Sequence, residues 1–115
     1  MLDPLLRLRP RLAVVGALLA LAVLCLASSS AYARVVSVSV RNDFFGPKAV
    51  TIARGDTVKW VWRSKGRKHN VVSPAFGDSG NRRRGTFTVH FTSAGRYAYY
   101  CGLHPGMDGT IVVRR

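Results

Sequence analysis

The sequence predicts an all-β protein, a Greek-key antiparallel β-sandwich, and three observations carry that reading. Apolar side chains recur at every second residue from Arg34 onward, the period of a strand with one face inward. The apolar runs are short, and Gly, Pro and Asp stand between them at intervals that suit turns. No stretch of useful length carries the three-to-four residue period of an amphipathic helix.

The elements follow in order. Val36, Val38 and Val40 alternate with Ser37, Ser39 and Arg41 to make a first strand, and Ala49–Ala53 makes a second. Thr57–Arg63 makes a third, with Val58, Trp60 and Trp62 on its core face and Lys59 and Arg63 opposite. Phe87, Val89 and Phe91 alternate with Thr86, Thr88 and His90, which turns His90 toward water. Tyr97, Tyr99 and Cys101 alternate with Ala98 and Tyr100, and Thr110–Val113 closes the chain. Turn signals fall at Gly46-Pro47, Gly55-Asp56, Lys65-Gly66, Gly77–Gly80 and Ala94-Gly95, and the polar, glycine-rich stretch Ser73–Arg84 is the long surface connection. Tyr97, two residues after Gly95, is placed either to tie a corner between the sheets through its hydroxyl or to serve as an ordinary core aromatic. Trp60 and Trp62 are core or near-site packing.

Residues 1–33 stand apart from this domain. Arg7, Arg9 and Arg11 precede the apolar run Leu12–Ala27, and Ala31-Tyr32-Ala33 has the small-x-small pattern of a cleavage site. The run is shorter than the ~20 residues a membrane-spanning helix needs. A secretory signal peptide cleaved after Ala33 is therefore expected, rather than an anchor, with residues 34–115 exported to the periplasm or beyond and no stable membrane span. A domain of that size has too small a core for a multidomain enzyme or a large enclosed substrate cavity. The chain has 18 Lys and Arg against 5 acidic residues, all Asp, for a net charge of +13. Any partner is expected to present negative charge. Nucleic acid would satisfy that charge, but the export signal and the want of a recognisable nucleic-acid module argue against it.

Once the leader is removed, Cys101 is the single thiol and has no partner for an intramolecular disulfide. It opens Cys101-Gly102-Leu103-His104-Pro105-Gly106-Met107, the pattern C-x-x-H-x-x-M, in a tight loop between two strands. Thiolate is a soft ligand, imidazole a borderline one, and a thioether binds little except soft or oxidisable metals, so the trio favours copper over zinc, calcium or magnesium. A trigonal site needs a second imidazole, and His69 supplies it at the end of an earlier strand, in Lys68-His69-Asn70-Val71-Val72. The expected set is His69, Cys101 and His104 in a plane with Met107 as a weak axial ligand. His90 is a surface histidine outside this set, and Asp108 a turn residue.

From FFGPKAVTIARGDTVKWVW through HNVV to GRYAYYCGLHPGMDGTIVV, residues 34–115 resemble the small blue-copper proteins, the cupredoxins of the plastocyanin and amicyanin group. The two-residue gap between His104 and Met107 resembles the short amicyanin form. The resemblance implies one copper per chain, cycling between Cu(I) and Cu(II), held by His69, Cys101, His104 and Met107, with the Asn70 backbone amide bonded to the Cys101 sulfur. It also implies a monomeric, non-enzymatic electron carrier that docks transiently to redox partners. Electrons would pass through the exposed edge of His104, within an apolar patch to which Leu103, Pro105 and Gly106 contribute. Lys65, Arg67, Lys68 and Arg82-Arg83-Arg84 form either a solvated cationic rim or a docking patch for an acidic partner. The alternatives are a copper storage or delivery protein without a carrier role, and a metal-free secreted interaction module.

Overall fold

Strand alternation becomes a two-layer core in the computed structural model, which describes residues 32–115. The arginines and apolar run of the expected leader lie outside the described residues. One sheet has the order β2 (Phe45–Gly46), β1 (Val35–Val40), β4 (Thr57–Trp62) and β7 (Thr86–His90). The other has the order β3 (Ala49–Ala53), β9 (Asp108–Arg114), β8 (Gly95–Tyr100), β5 (Val72–Ser73) and β6 (Gly77–Asp78). The β-sandwich is the expected architecture, but its pairing is mixed. β1 runs parallel to β4, with Val38 opposite Trp60, and β3 runs parallel to β9, with Val50 opposite Ile111. The chain leaves β1 and β2, crosses to the other sheet as β3 and returns as β4, which brings β1 and β4 side by side in one direction. Apolar alternation identifies the inward face of a strand and carries no information about its neighbour's direction.

The inward residues are those the period-two pattern picks out. Val38, Val40, Val58, Trp60 and Trp62 from one sheet meet Val50, Ile52, Tyr99, Ile111 and Val113 from the other, all buried. Aromatic rings dominate the centre: Trp60 stacks on Phe76 with centroids 5.4 Å apart and meets Tyr99 edge-on at 5.3 Å. Such pairs add about 0.5–1.5 kcal/mol each beyond the area they bury. Tyr97 fulfils both roles left open for it, since its hydroxyl donates to the Ser93 carbonyl at 2.7 Å while its ring packs against Phe91. Part of the long connection Ser73–Arg84 folds back as the small β5–β6 hairpin.

Tyr99 lies on β8, one pair inside the end of the ladder from which the Cys101–Met107 loop leaves. It stands opposite Gly109 on β9, and a Cβ at Gly109 would lie 2.3 Å from the Tyr99 ring and hydroxyl. That hydroxyl is buried and, among the described residues, has no hydrogen-bond partner. Burial pushes the phenol pKa up to about 12, the nearby Trp60 indole opposing that rise and the Asp108 charge adding to it. The fold therefore favours the neutral phenol. This contribution is complete below the unfolded value of about 10 and is lost as pH rises through the folded one. Tyr99→Phe should match or exceed the parent's stability at neutral pH, by up to ~1 kcal/mol, because it removes an unsatisfied polar atom. It should also keep more of its stability than the parent between pH 10 and pH 12 (about the interval separating the two values), as a denaturant series over that range would measure.

Candidate metal centre

The loop from Cys101 to Met107 is closed at both ends by backbone. The Cys101 N–H donates to the Met107 carbonyl at 2.8 Å, the Met107 N–H to the His104 carbonyl at 3.2 Å, and Tyr100 pairs with Asp108 where β8 and β9 meet. Gly106, at φ +81°, makes the left-handed turn between His104 and Met107 that a side chain would oppose. The spacing C-x-x-H-x-x-M is thus wound into one short turn fixed by two paired strands.

His69 comes from the opposite side of the site. It lies not at a strand end, as its sequence context suggested, but in an isolated bridge with Arg82, through reciprocal backbone bonds of 2.9 and 3.0 Å. The charged turn after Trp62 interrupts the strand, and the Trp62 indole N–H compensates by donating to the His69 carbonyl at 3.1 Å. Arg82 lies over the Trp62 ring at 5.6 Å, while its guanidinium donates to the carbonyls of Ser79 and Thr86. Arg82 is therefore a brace of the site and not part of a freely solvated rim.

The donor atoms of His69, Cys101 and His104 all lie within 4.8 Å of one another. Cys101 Sγ is 3.9 Å from His69 Nδ1 and 3.5 Å from His104 Nδ1. Metal–sulfur and metal–nitrogen bonds of about 2.3 and 2.0 Å at trigonal angles would separate S from N by ~3.7 Å, so the donor spacing fits a single bound ion. His69 Nε2 faces the Asn42 side-chain oxygen at 3.3 Å. With Nε2 donating there, Nδ1 presents its lone pair to the sulfur side. His69 is fully buried, and that burial, followed by the nearby His104, holds its pKa below the usual imidazole value, favouring the neutral, ligand-competent ring. Cys101 and Met107 are buried too. His104 is half-buried, so of the three grouped residues it is the one that reaches the surface, beside Leu103, which is 42% exposed, and the exposed Pro105 and Gly106.

Asn42 carries no motif in the sequence, and nothing there indicated it. It sits in a turn closed by the Arg41 N–H donating to the Phe44 carbonyl at 3.0 Å, with the adjacent Asp43 paired to Arg67 at 3.1 Å. Asn42→Ala should release the His69 ring and weaken metal binding about 10- to 100-fold, measured by competition with a chelator.

Asn70 also acts differently from the resemblance. Among the described residues the hydrogen-bonding neighbours of the Cys101 sulfur are the two imidazoles. The Asn70 carboxamide instead links two loops: its oxygen accepts the Gly102 backbone N–H at 2.6 Å and its nitrogen donates to the Asn81 side-chain oxygen at 2.9 Å. His69 and Cys101, far apart in sequence, are thereby tied through their immediate neighbours. His90 is exposed, 3.3 Å from the Thr57 hydroxyl and outside the cluster. Asp108 opens β9 and pairs with Lys48 at 3.0 Å. The four described aspartates all have a tie, since Asp56 pairs with Arg34 and Asp78 accepts the Gly80 N–H. Lys65, Lys68, Arg83 and Arg84 are exposed and, among the described residues, in no salt bridge.

Comparison with known proteins accords with this geometry. The model of the cupredoxin-like domain matches residues 14–113. The chain is 34% identical over 85 residues to the plastocyanin of Scenedesmus fuscus, covering 61% of this chain and 86% of that one. It is 36% identical over 66 residues to the amicyanin of Paracoccus denitrificans, covering 51% of this chain and 50% of the relative, so it spans half of that relative's length. Among solved structures, an oxidized amicyanin variant matches with a TM-score of 0.62 at 27% identity, over 69% of this chain and 81% of that one. A copper-containing nitrite reductase from Thermus scotoductus shares the fold, with a TM-score of 0.65 at 23% identity over 77% of this chain and 24% of that one.

Proposed function

Because the chain belongs to the cupredoxin-like family, we propose that it is an exported type 1 copper protein that shuttles single electrons between redox partners. His69, Cys101 and His104 hold one copper ion, with Met107 as the weak fourth ligand. Bound copper supplies the Cu(I)/Cu(II) couple. The observation that carries this reading is the spacing of the three donor atoms, two of them on buried residues and the third on the half-buried His104.

The chain's own residues do the rest. Asn42, Trp62, Arg82 and Asn70 fix the donors from both sides of the site. Neither the His69 bridge nor the Cys101–Met107 loop then has to move when the metal changes charge, and small rearrangement favours fast electron transfer. Four protein donors leave no open coordination position for a substrate, so the chain acts as a carrier and not as an enzyme. His104 is the port, and the exposed apolar Leu103 and Pro105 beside it permit a small contact that separates quickly. Lys65, Lys68, Arg83 and Arg84 favour partners with acidic docking surfaces. The leader is removed after Ala33, and residues 34–115 act as a monomer in the periplasm or outside the cell.

Copper delivery without electron transfer is the second reading, favoured by the same soft donors. Electron paramagnetic resonance and voltammetry on the copper-loaded protein separate the two. The carrier shows a narrow parallel hyperfine splitting and a reversible one-electron wave, both unchanged in His90→Ala. A wide splitting with no reversible wave would replace the carrier by the delivery protein.

A further inference from the structure

Asp56 is only 2% exposed, in the turn between β3 and β4, and its carboxylate faces the start of the domain. Oδ1 accepts the Arg34 backbone N–H at 2.8 Å, Oδ2 accepts the Ala53 N–H at 2.9 Å, and the Arg34 guanidinium lies 3.6 Å from Oδ2. The Arg34 carbonyl in turn accepts the Thr57 N–H at 2.9 Å, so residue 34 is held on both sides of its α-carbon. That guanidinium is 62% exposed, which leaves a buried anion compensated mainly by backbone amides. The preceding Tyr32 and Ala33 are exposed. The inference rests on the proposed removal of the leader after Ala33. Hydrolysis of the Ala33–Arg34 bond gives hydroxyl to the Ala33 carbonyl and hydrogen to the Arg34 nitrogen, which takes up a further proton at neutral pH to become an ammonium group.

We propose that Asp56 is the receptor for the new Arg34 α-ammonium group, so that processing turns an amide–carboxylate hydrogen bond into a buried ion pair and tightens the domain after the cut. The site is sensitive to register. A chain starting one residue earlier places its ammonium group about 3.8 Å further along, and one starting later has no Arg34 nitrogen to offer. The carboxylate is already held below its usual pKa, first by the Arg34 N–H and then by that of Ala53, as an anion awaiting a cation would be. On the facing strand β7, His90 is bonded to the Thr57 hydroxyl and leaves the carboxylate to Arg34. Arg54, in the same turn, is exposed.

The test begins with the full precursor expressed in an exporting bacterium and the intact mass of the product. The expected first residue is Arg34; any other start overturns the cleavage reading on which the proposal rests. The α-amine of the Arg34-initiated protein is then acylated at neutral pH and followed by peptide mass mapping. Its rate should be at least about tenfold below that of the same protein in denaturant, since each unit of raised amine pKa removes nine-tenths of the reactive free base. Asp56→Asn should restore the ordinary rate. Should that variant fail to fold, a chain with one alanine inserted before Arg34 provides the comparison, and its amine should react at the ordinary rate. Equal rates in folded and denatured Arg34-initiated protein, or equal protection in the inserted chain, would overturn the proposal itself.

Discussion

Cys101→Ser should abolish the intense visible absorption of the copper-loaded protein and widen its parallel hyperfine splitting, while the fold survives. Both signatures need a thiolate that shares the unpaired electron with the metal, and a serine oxygen is hard, neutral and a poor electron donor. The two imidazoles and the thioether remain, so residual copper binding is expected, weaker and spectroscopically ordinary. Cys101 is 3% exposed, and placing a hydroxyl there costs about 1–3 kcal/mol if it finds no partner. The loop's backbone bonds do not involve the sulfur and should hold. Visible and paramagnetic spectra of parent and variant, with circular dichroism to verify folding, check the expectation. An undiminished visible band in the serine variant would remove Cys101 from the ligand set.

The second large effect concerns stability. Gly109→Ala should destabilise the domain by ~2 kcal/mol or more, in the range that overpacking a filled core costs. For a domain of this size that corresponds to a fall in melting temperature of roughly 8–16 °C. The cause is local: the added methyl would stand 2.3 Å from the Tyr99 ring and hydroxyl. That ring cannot step aside, because Phe45 meets it at 4.8 Å and Trp60 at 5.3 Å. A smaller residue at position 99 in the same chain should recover part of the loss, which a double-mutant cycle would measure. The cost should also reach the metal centre, since Tyr99 and Gly109 face each other just outside the loop ends Cys101 and Met107.

The two effects divide along what was legible in the amino-acid order. Period-two alternation identifies the inward faces of the main strands, and donor chemistry identifies His69, Cys101 and His104 as a group, whose donor atoms lie within 4.8 Å of one another. Both are local signals, written in neighbouring residues or in residue type. The parallel pairing of β1 with β4 and of β3 with β9 was not legible, because alternation is the same in either direction. Nor was the bracing role of Asn42, Asn70 and Arg82. Asn42 and Asn70 act across long sequence separations, on His69 and Gly102, while the Arg82 guanidinium bonds locally to the Ser79 and Thr86 carbonyls, and an isolated Asn or Arg looks the same whether it faces water or holds a neighbour. Arg82 in particular sits in a triplet whose composition suggested a solvated patch, while its two neighbours are the ones exposed.

The tethering of the four described aspartates, three in ion pairs and Asp78 by a backbone N–H, has a further consequence. With these four carboxylates tied within their own molecule and Lys and Arg in large excess, the long-range field between two copies is repulsive. Two copies approaching through their imidazole faces are pushed apart before they touch. On the proposed carrier reading, that repulsion would favour exchange with unlike, acidic partners over exchange between copies.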